Sequence, residues 1–154
     1  MRYDLHLFLS IVFLVLLLRL FPIAPPYFDL ALFSCVSLPA MYALSYYRAR
    51  LAKRFVKARS LEYEVRELSY EAVALVMSYA TGLAVYVALY GVADIGTYTV
   101  AYIIVQGMRC FVSWMCRNLS NAGIDVARPS VVLLVAGTTA TIFFGILYLL
   151  TSFL

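Results

Sequence analysis

The sequence has few charged residues. Of its 154 residues, 13% are Asp, Glu, Lys or Arg, whereas 65% are apolar. Soluble domains carry about a quarter charged residues and about half apolar ones. A chain with so little charge cannot cover a soluble surface, so the composition predicts an all-α integral membrane protein. We expect residues 1–154 to form a single membrane domain with no separate globular domain.

The sequence also lacks the residues that most active sites need. Its one histidine, His6, cannot bind a haem iron from both sides. Its three cysteines, Cys35, Cys110 and Cys116, show no CxxC or zinc-ligand spacing, and we interpret them as small packed side chains. No HExxH motif, phosphate-binding glycine loop or Ser/His/Asp set is present. We therefore expect no enzyme activity, no cofactor and no metal.

Acidic side chains are missing from the middle of the apolar segments. The four aspartates fall at segment ends or in loops, at Asp4, Asp29, Asp94 and Asp125. Proton-coupled transporters usually need a carboxylate inside the membrane. This absence argues against proton-coupled transport.

Long apolar segments, by contrast, are abundant. The hydrocarbon core of a bilayer is about 30 Å thick, and a helix needs about twenty apolar residues to cross it. Five segments have this length, and we predict membrane spans over residues 5–24, 28–47, 72–91, 97–116 and 131–154. Pro22, Pro25 and Pro26 end the first span. Pro39 is expected to kink the second.

The basic residues are distributed unevenly between the two sides of this arrangement. If the N-terminus is cytoplasmic, the only Lys or Arg on the outer side is Arg19, which we expect to reach from the first span to the headgroups. The positive-inside rule therefore predicts a five-helix bundle in the cytoplasmic (plasma) membrane, with the N-terminus inside and the C-terminus outside. The same distribution accounts for the net charge of +4, so we expect no nucleic-acid partner.

The longest polar stretch is residues 48–71, between the second and third spans, and we call it the charged segment. Its first half carries six of the twelve basic residues: Arg48, Arg50, Lys53, Arg54, Lys57 and Arg59. Its second half is acidic, with Glu62, Glu64, Glu67 and Glu71 beside Arg66. Ser60 lies between the halves and is a plausible N-cap, which predicts a helix start at Leu61. We expect a short cytoplasmic helical hairpin of two oppositely charged arms. The alternative is an amphipathic helix lying flat on anionic lipid headgroups.

Small residues recur at every fourth position in two of the spans. The third span has Ala74, Ser78 and Gly82. The fifth has Gly137, Thr141 and Gly145. Such stripes let helices approach closely in a membrane, and we predict close helix packing along both.

The fourth span carries a polar stripe made of Tyr98, Tyr102, Gln106, Arg109 and Ser113. An arginine at mid-depth costs about 2.5–3.5 kcal/mol on insertion scales, so Arg109 is a candidate functional residue. Two interpretations stay open. Arg109 lines a path for an anion, or it extends to the cytoplasmic surface beside Arg117 while the other polar groups join helices.

Three functions follow from these features. The first is a non-catalytic polytopic subunit or platform of a larger membrane assembly, which docks a cytoplasmic partner through the charged segment. The second is a small oligomeric transporter or channel that uses the stripe at Tyr102, Gln106, Arg109 and Ser113. The third is a membrane-protein insertion factor, suggested by the layout alone. The expected partners are the lipid bilayer, with anionic headgroups, and proteins in a membrane complex or homo-oligomer.

Overall fold

The computed structural model of the chain describes residues 4–22, 28–36, 61–90 and 95–153, and most of these residues are helical. These ranges contain five helices and no strand. The helices are α1 (Asp4–Leu20), α2 (Phe28–Cys35), α3 (Leu61–Tyr90), α4 (Ile95–Asn121) and α5 (Pro129–Phe153). The chain divides into two compact units, one of Met1–Phe33 with Gly96–Leu154 and one of Ser34–Ile95.

Three of these helices are long and apolar enough to cross a membrane. They are the part of α3 at Ala72–Leu89, the whole of α4 and the whole of α5. Because a soluble chain does not expose helices of this length and apolarity, they indicate an integral membrane protein.

The first helix is shorter than predicted. It ends at Leu20, not at residue 24, and its apolar part is Leu5–Leu20. The cause is Pro22, because a proline disfavours the helical conformation of the residue before it. With 17 residues, α1 is roughly 25 Å long, at the lower limit for a span.

The second predicted span and the basic half of the charged segment lie mostly outside the described residues. The structure gives α2 only as Phe28–Cys35. At its start, the Asp29 carboxylate lies 3.2 Å from the Arg19 guanidinium, which is on the last turn of α1. Arg19, predicted to reach the headgroups, thus contacts Asp29, although its side chain remains 72% exposed.

The acidic half of the charged segment and the third span form one helix. α3 begins at Leu61, where the sequence predicts a helix start, and continues for 30 residues to Tyr90. The predicted stripe is buried along it, with Ala74 4% and Ser78 3% exposed and Gly82 also buried. The face of α3 that carries the predicted stripe is therefore a buried face, and close packing of another helix along it stays a prediction.

The α4–α5 hairpin has longer helices and a shorter connection than predicted. α4 continues to Asn121 and α5 begins at Pro129, so that the turn is residues 122–128. Gly123 ends α4 with φ at 81°, a backbone conformation that glycine adopts at little cost. Its N–H bonds the Ser120 carbonyl and the Ile124 N–H bonds the Leu119 carbonyl, as in a Schellman motif.

Close contact between α4 and α5 occurs at Gly107, and not along the stripe predicted in the fifth span. A Cβ at Gly107 would lie 3.1 Å from Cε1 of Phe143, whereas one at Gly137 or Gly145 would meet no described atom within 4 Å. Thr141 is exposed as well. The predicted stripe of α5 therefore does not form this helix contact, and an aromatic ring on glycine does.

α1 runs parallel to α5 and antiparallel to α4. His6, near the start of α1, contacts the Val126 carbonyl in the turn before α5. Phe21, just after α1, lies against Phe144 of α5, with ring centroids 6.0 Å apart. The start of α1 and the α4–α5 turn consequently lie at the same end of this unit.

Candidate functional site

The polar stripe of α4 is partly buried along its whole length. Tyr98 is fully buried and Tyr102 is 8% exposed, while Gln106, Arg109 and Ser113 are half-buried. The rings of the two tyrosines are 6.3 Å apart at an interplanar angle of 30°. The stripe follows from sequence spacing, because residues three and four apart share one face of a helix.

Arg109 and Gln106 form the polar centre of this stripe. Nη1 of Arg109 donates a hydrogen bond to Oε1 of Gln106 over 3.4 Å, a long bond between neighbours one turn apart. The amide oxygen accepts a hydrogen bond from one of the five N–H groups of the guanidinium. Chemically, the pair offers a positive charge with directional donors, which suits an anion or a polar group of another helix.

Arg109 lies deeper in its helix than the sequence indicated. The predicted span of 97–116 placed it two turns from the cytoplasmic end, whereas α4 extends from Ile95 to Asn121 and places Arg109 near the middle. The distance from Arg109 to the end of α4 is roughly 18 Å along the axis, at 1.5 Å per residue. The polar residues after Cys116 extend α4 beyond its apolar part, so the length of the helix does not decide between the two interpretations of Arg109.

Apolar residues surround the stripe on the buried side of α4. Val105, Met108 and Val112 are at most 2% exposed. Towards the turn, Val112 and Cys116 pack with Val135 of α5 in a buried cluster. The polar stripe therefore lies along the edge of the packed, apolar face of α4.

The residues predicted to dock a partner are only partly described. Arg48, Arg50, Lys53, Arg54, Lys57 and Arg59 lie outside the described residues. The acidic residues of the charged segment lie on the first turns of α3, in the stretch 61–71. The acidic arm of the predicted hairpin is therefore helical. The hairpin itself stays a prediction.

Sequence reasoning missed a connection between two distant parts of the chain. Nε2 of His6 donates a hydrogen bond to the Val126 carbonyl over 2.9 Å, and the histidine is 5% exposed. A lone histidine at the start of an apolar helix was a detectable signal, since an apolar segment rarely holds one without a partner. The identity of the partner was not readable from sequence.

No group of three or more His, Cys, Asp or Glu that could hold a metal occurs among the described residues. Cys35, Cys110 and Cys116 are free thiols, and Cys35 and Cys116 are buried. Comparisons of the chain with protein-family models, with curated proteins and with solved structures found no match in any of the three.

Proposed function

We propose that the chain is a non-catalytic subunit of a larger membrane assembly and that its charged segment docks a cytoplasmic partner. The observation that carries this proposal is the length of α3. The helix has 30 residues, of which Ala72–Leu89 form the candidate span. Residues 61–71 therefore extend the helix by roughly 16 Å beyond the apolar part, at 1.5 Å per residue.

The charge of this extension favours a protein partner over the membrane surface. It carries four glutamates and one arginine, Glu62, Glu64, Glu67, Glu71 and Arg66. An anionic lipid surface repels such a segment. In this proposal, the helical extension and the six basic residues that precede it in the sequence, at 48–59, offer both signs of charge to a soluble protein.

The proposal includes a five-span arrangement with the N-terminus and the charged segment in the cytoplasm, in the plasma membrane. The parallel course of α1 and α5 supports it, because an N-in chain of five spans requires its first and last spans to run in the same direction. Arg117 and Arg128 are exposed at the end of the unit where α1 begins. This is the side on which the positive-inside rule places them.

Neutralising four basic residues of the charged segment is the test. The variant has glutamine in place of Arg50, Lys53, Arg54 and Lys57. We expect the amount of partner protein that co-purifies with the tagged variant to fall by at least about tenfold, because charge complementarity selects partners. The measurement is quantitative mass spectrometry of proteins that co-purify in mild detergent.

A control removes basic residues outside the charged segment. Changing Arg2 and Arg19 to glutamine lowers the net charge but leaves the charged segment and the arginines of the α4–α5 turn intact. This variant should keep its partners. If the charged-segment variant is folded and retains every protein that the unaltered chain retains, the docking proposal is wrong.

A second candidate, a small oligomeric transporter or channel for anions, is favoured by the position of Arg109. Arg109 is half-buried near the middle of a candidate span. A guanidinium at such a position raises the free energy of membrane insertion, which makes the residue a candidate for a functional role. In this alternative, Arg109 and Gln106 accept an anion that passes along α4, and copies of the chain complete the path.

Liposomes that contain the purified chain test this alternative. Arg109→Leu should lower anion flux by at least about tenfold, because the charge that offsets dehydration of the anion is lost. Arg109→Lys keeps the charge and should retain part of the flux. Liposomes with the unaltered chain that stay impermeable to small anions would exclude the alternative.

A further inference from the structure

The end of the α4–α5 hairpin carries an exposed surface that the proposed function does not use. We call it the turn surface and define it by Trp114, Arg117, Ile124 and Arg128. Trp114 is 60% exposed and Ile124 43%, and both arginines are exposed. All four residues are exposed and lie either in the last two turns of α4 or in the turn that follows it.

The charge of this surface is positive. Within the described part of the chain, neither Arg117 nor Arg128 forms an ion pair. The one acid of the turn is Asp125, whose Oδ1 accepts a hydrogen bond from the Ala127 N–H over 3.0 Å. Two guanidiniums against one carboxylate attract an anion.

The turn that holds these residues is fixed by several hydrogen bonds. Gly123 and Ile124 close the end of α4, and the Val126 carbonyl is held by Nε2 of His6. The Arg128 carbonyl accepts the Val132 N–H over 3.0 Å and so starts α5. Because the backbone is already ordered, binding a ligand here costs little additional conformational entropy.

Trp114 places this surface at the boundary between headgroups and hydrocarbon. Its ring packs beside that of Phe111, with centroids 5.8 Å apart, and Phe111 in turn packs against Phe143 of α5. Trp114 lies one helical turn before Arg117. An exposed tryptophan just inside a polar helix end is the arrangement of interfacial aromatic belts, where the indole sits at headgroup level.

We propose that the turn surface binds the headgroups of anionic phospholipids. Arg117 and Arg128 hydrogen-bond the lipid phosphates, which the planar guanidinium can do with two N–H groups at once. Trp114 contacts the upper part of the acyl chains, where an indole suits the boundary. The proposal depends on membrane insertion alone and stands whether or not the charged segment docks a protein.

The fluorescence of Trp114 tests the proposal directly, because Trp114 is the single tryptophan of the chain. The full chain is reconstituted in phosphatidylcholine vesicles that contain a small fraction of brominated phosphatidylglycerol. A parallel sample contains the same fraction of brominated phosphatidylcholine. Bromine quenches indole fluorescence at short range, so the ratio of the two quenching constants measures the preference for the anionic lipid at this site.

We expect a ratio of at least about fivefold for the unaltered chain, which corresponds to the gain from one basic residue near an anionic surface. The ratio should fall towards one in R117Q/R128Q and also at high salt, which screens exposed charges. The matched control R19Q removes an exposed arginine at the opposite end of α1 and should leave the ratio unchanged.

Two results would overturn the proposal. One is an unaltered chain that the two brominated lipids quench equally. The other is a preference that persists in folded R117Q/R128Q. The first comparison needs no variant, so the proposal stays testable even if R117Q/R128Q fails to fold.

Discussion

Gly107→Leu is expected to destabilise the α4–α5 hairpin by about 2–3 kcal/mol, the upper part of the range for overpacked interiors. A Cβ at residue 107 would lie 3.1 Å from Cε1 and 3.3 Å from Cζ of Phe143, and the rest of a leucine would need the space of the ring. The ring has limited freedom to move, because Phe111 packs against it with centroids 6.3 Å apart. α4 and α5 must therefore separate at this point.

Gly137→Leu is the matched control for this prediction. It places the same side chain on α5, where a Cβ would meet no described atom within 4 Å. Leucine is favoured over glycine in a helix by somewhat less than about 1 kcal/mol, so this variant should be as stable as the unaltered chain or slightly more stable. Denaturant titration in mild detergent, followed by Trp114 fluorescence, compares the free energies of unfolding. Equal stability of the two variants would contradict the contact at Gly107.

His6→Leu is expected to lower the free energy of unfolding by about 1–3 kcal/mol, the cost of leaving a buried polar group without its hydrogen bond. The histidine is 5% exposed, and its Nε2 lies 2.9 Å from the Val126 carbonyl. Leucine has a similar size but no donor, so the Val126 carbonyl would lose this bond. The start of α1 should then separate from the α4–α5 turn more readily.

His6→Gln and His6→Asn distinguish the hydrogen bond from packing. The amide nitrogen of glutamine can lie near the position of Nε2, whereas that of asparagine is closer to the backbone and falls short. Glutamine should therefore restore most of the lost stability, and asparagine little of it. Hydrogen exchange at residues 122–128 would show the local effect. If leucine is tolerated without any change in stability or exchange, His6 does not hold the turn.

Two helix ends differ from the predicted span ends, although a single residue dictates each of them. Gly123 ends α4 because its φ of 81° suits glycine, and Pro22 ends α1 at Leu20 by restricting Phe21. The predicted span of 97–116 ends before Arg117, where the apolar segment ends. The polar residues of α4 that follow Cys116 instead continue the helix beyond the apolar part. Ser60 as an N-cap, together with the change of charge sign there, predicts the start of α3 at Leu61.

Contacts between helices did not follow from the sequence. His6 and Val126 are 120 residues apart, and no local pattern connects them. Small-residue spacing identified the buried face of α3, whereas α5 contacts α4 through Phe143 on Gly107, outside the predicted stripe. The reason is that lipid is as apolar as leucine, so hydrophobicity does not rank the faces of a membrane helix. The polar stripe of α4 was predictable from spacing, whereas the depth of Arg109 depended on helix bounds.

Site-specific photo-crosslinking in the native membrane tests the docking proposal most directly. A photoreactive amino acid replaces Lys53 in one tagged chain and Ser152, near the end of α5, in another. After illumination and gentle purification, the account predicts that the Lys53 position yields a stoichiometric adduct with a different, cytoplasmic protein and that the Ser152 position does not. A Lys53 position that crosslinks only to copies of this chain or to lipid, with a clean homo-oligomer in the purified sample, would contradict the account and favour transport through Arg109.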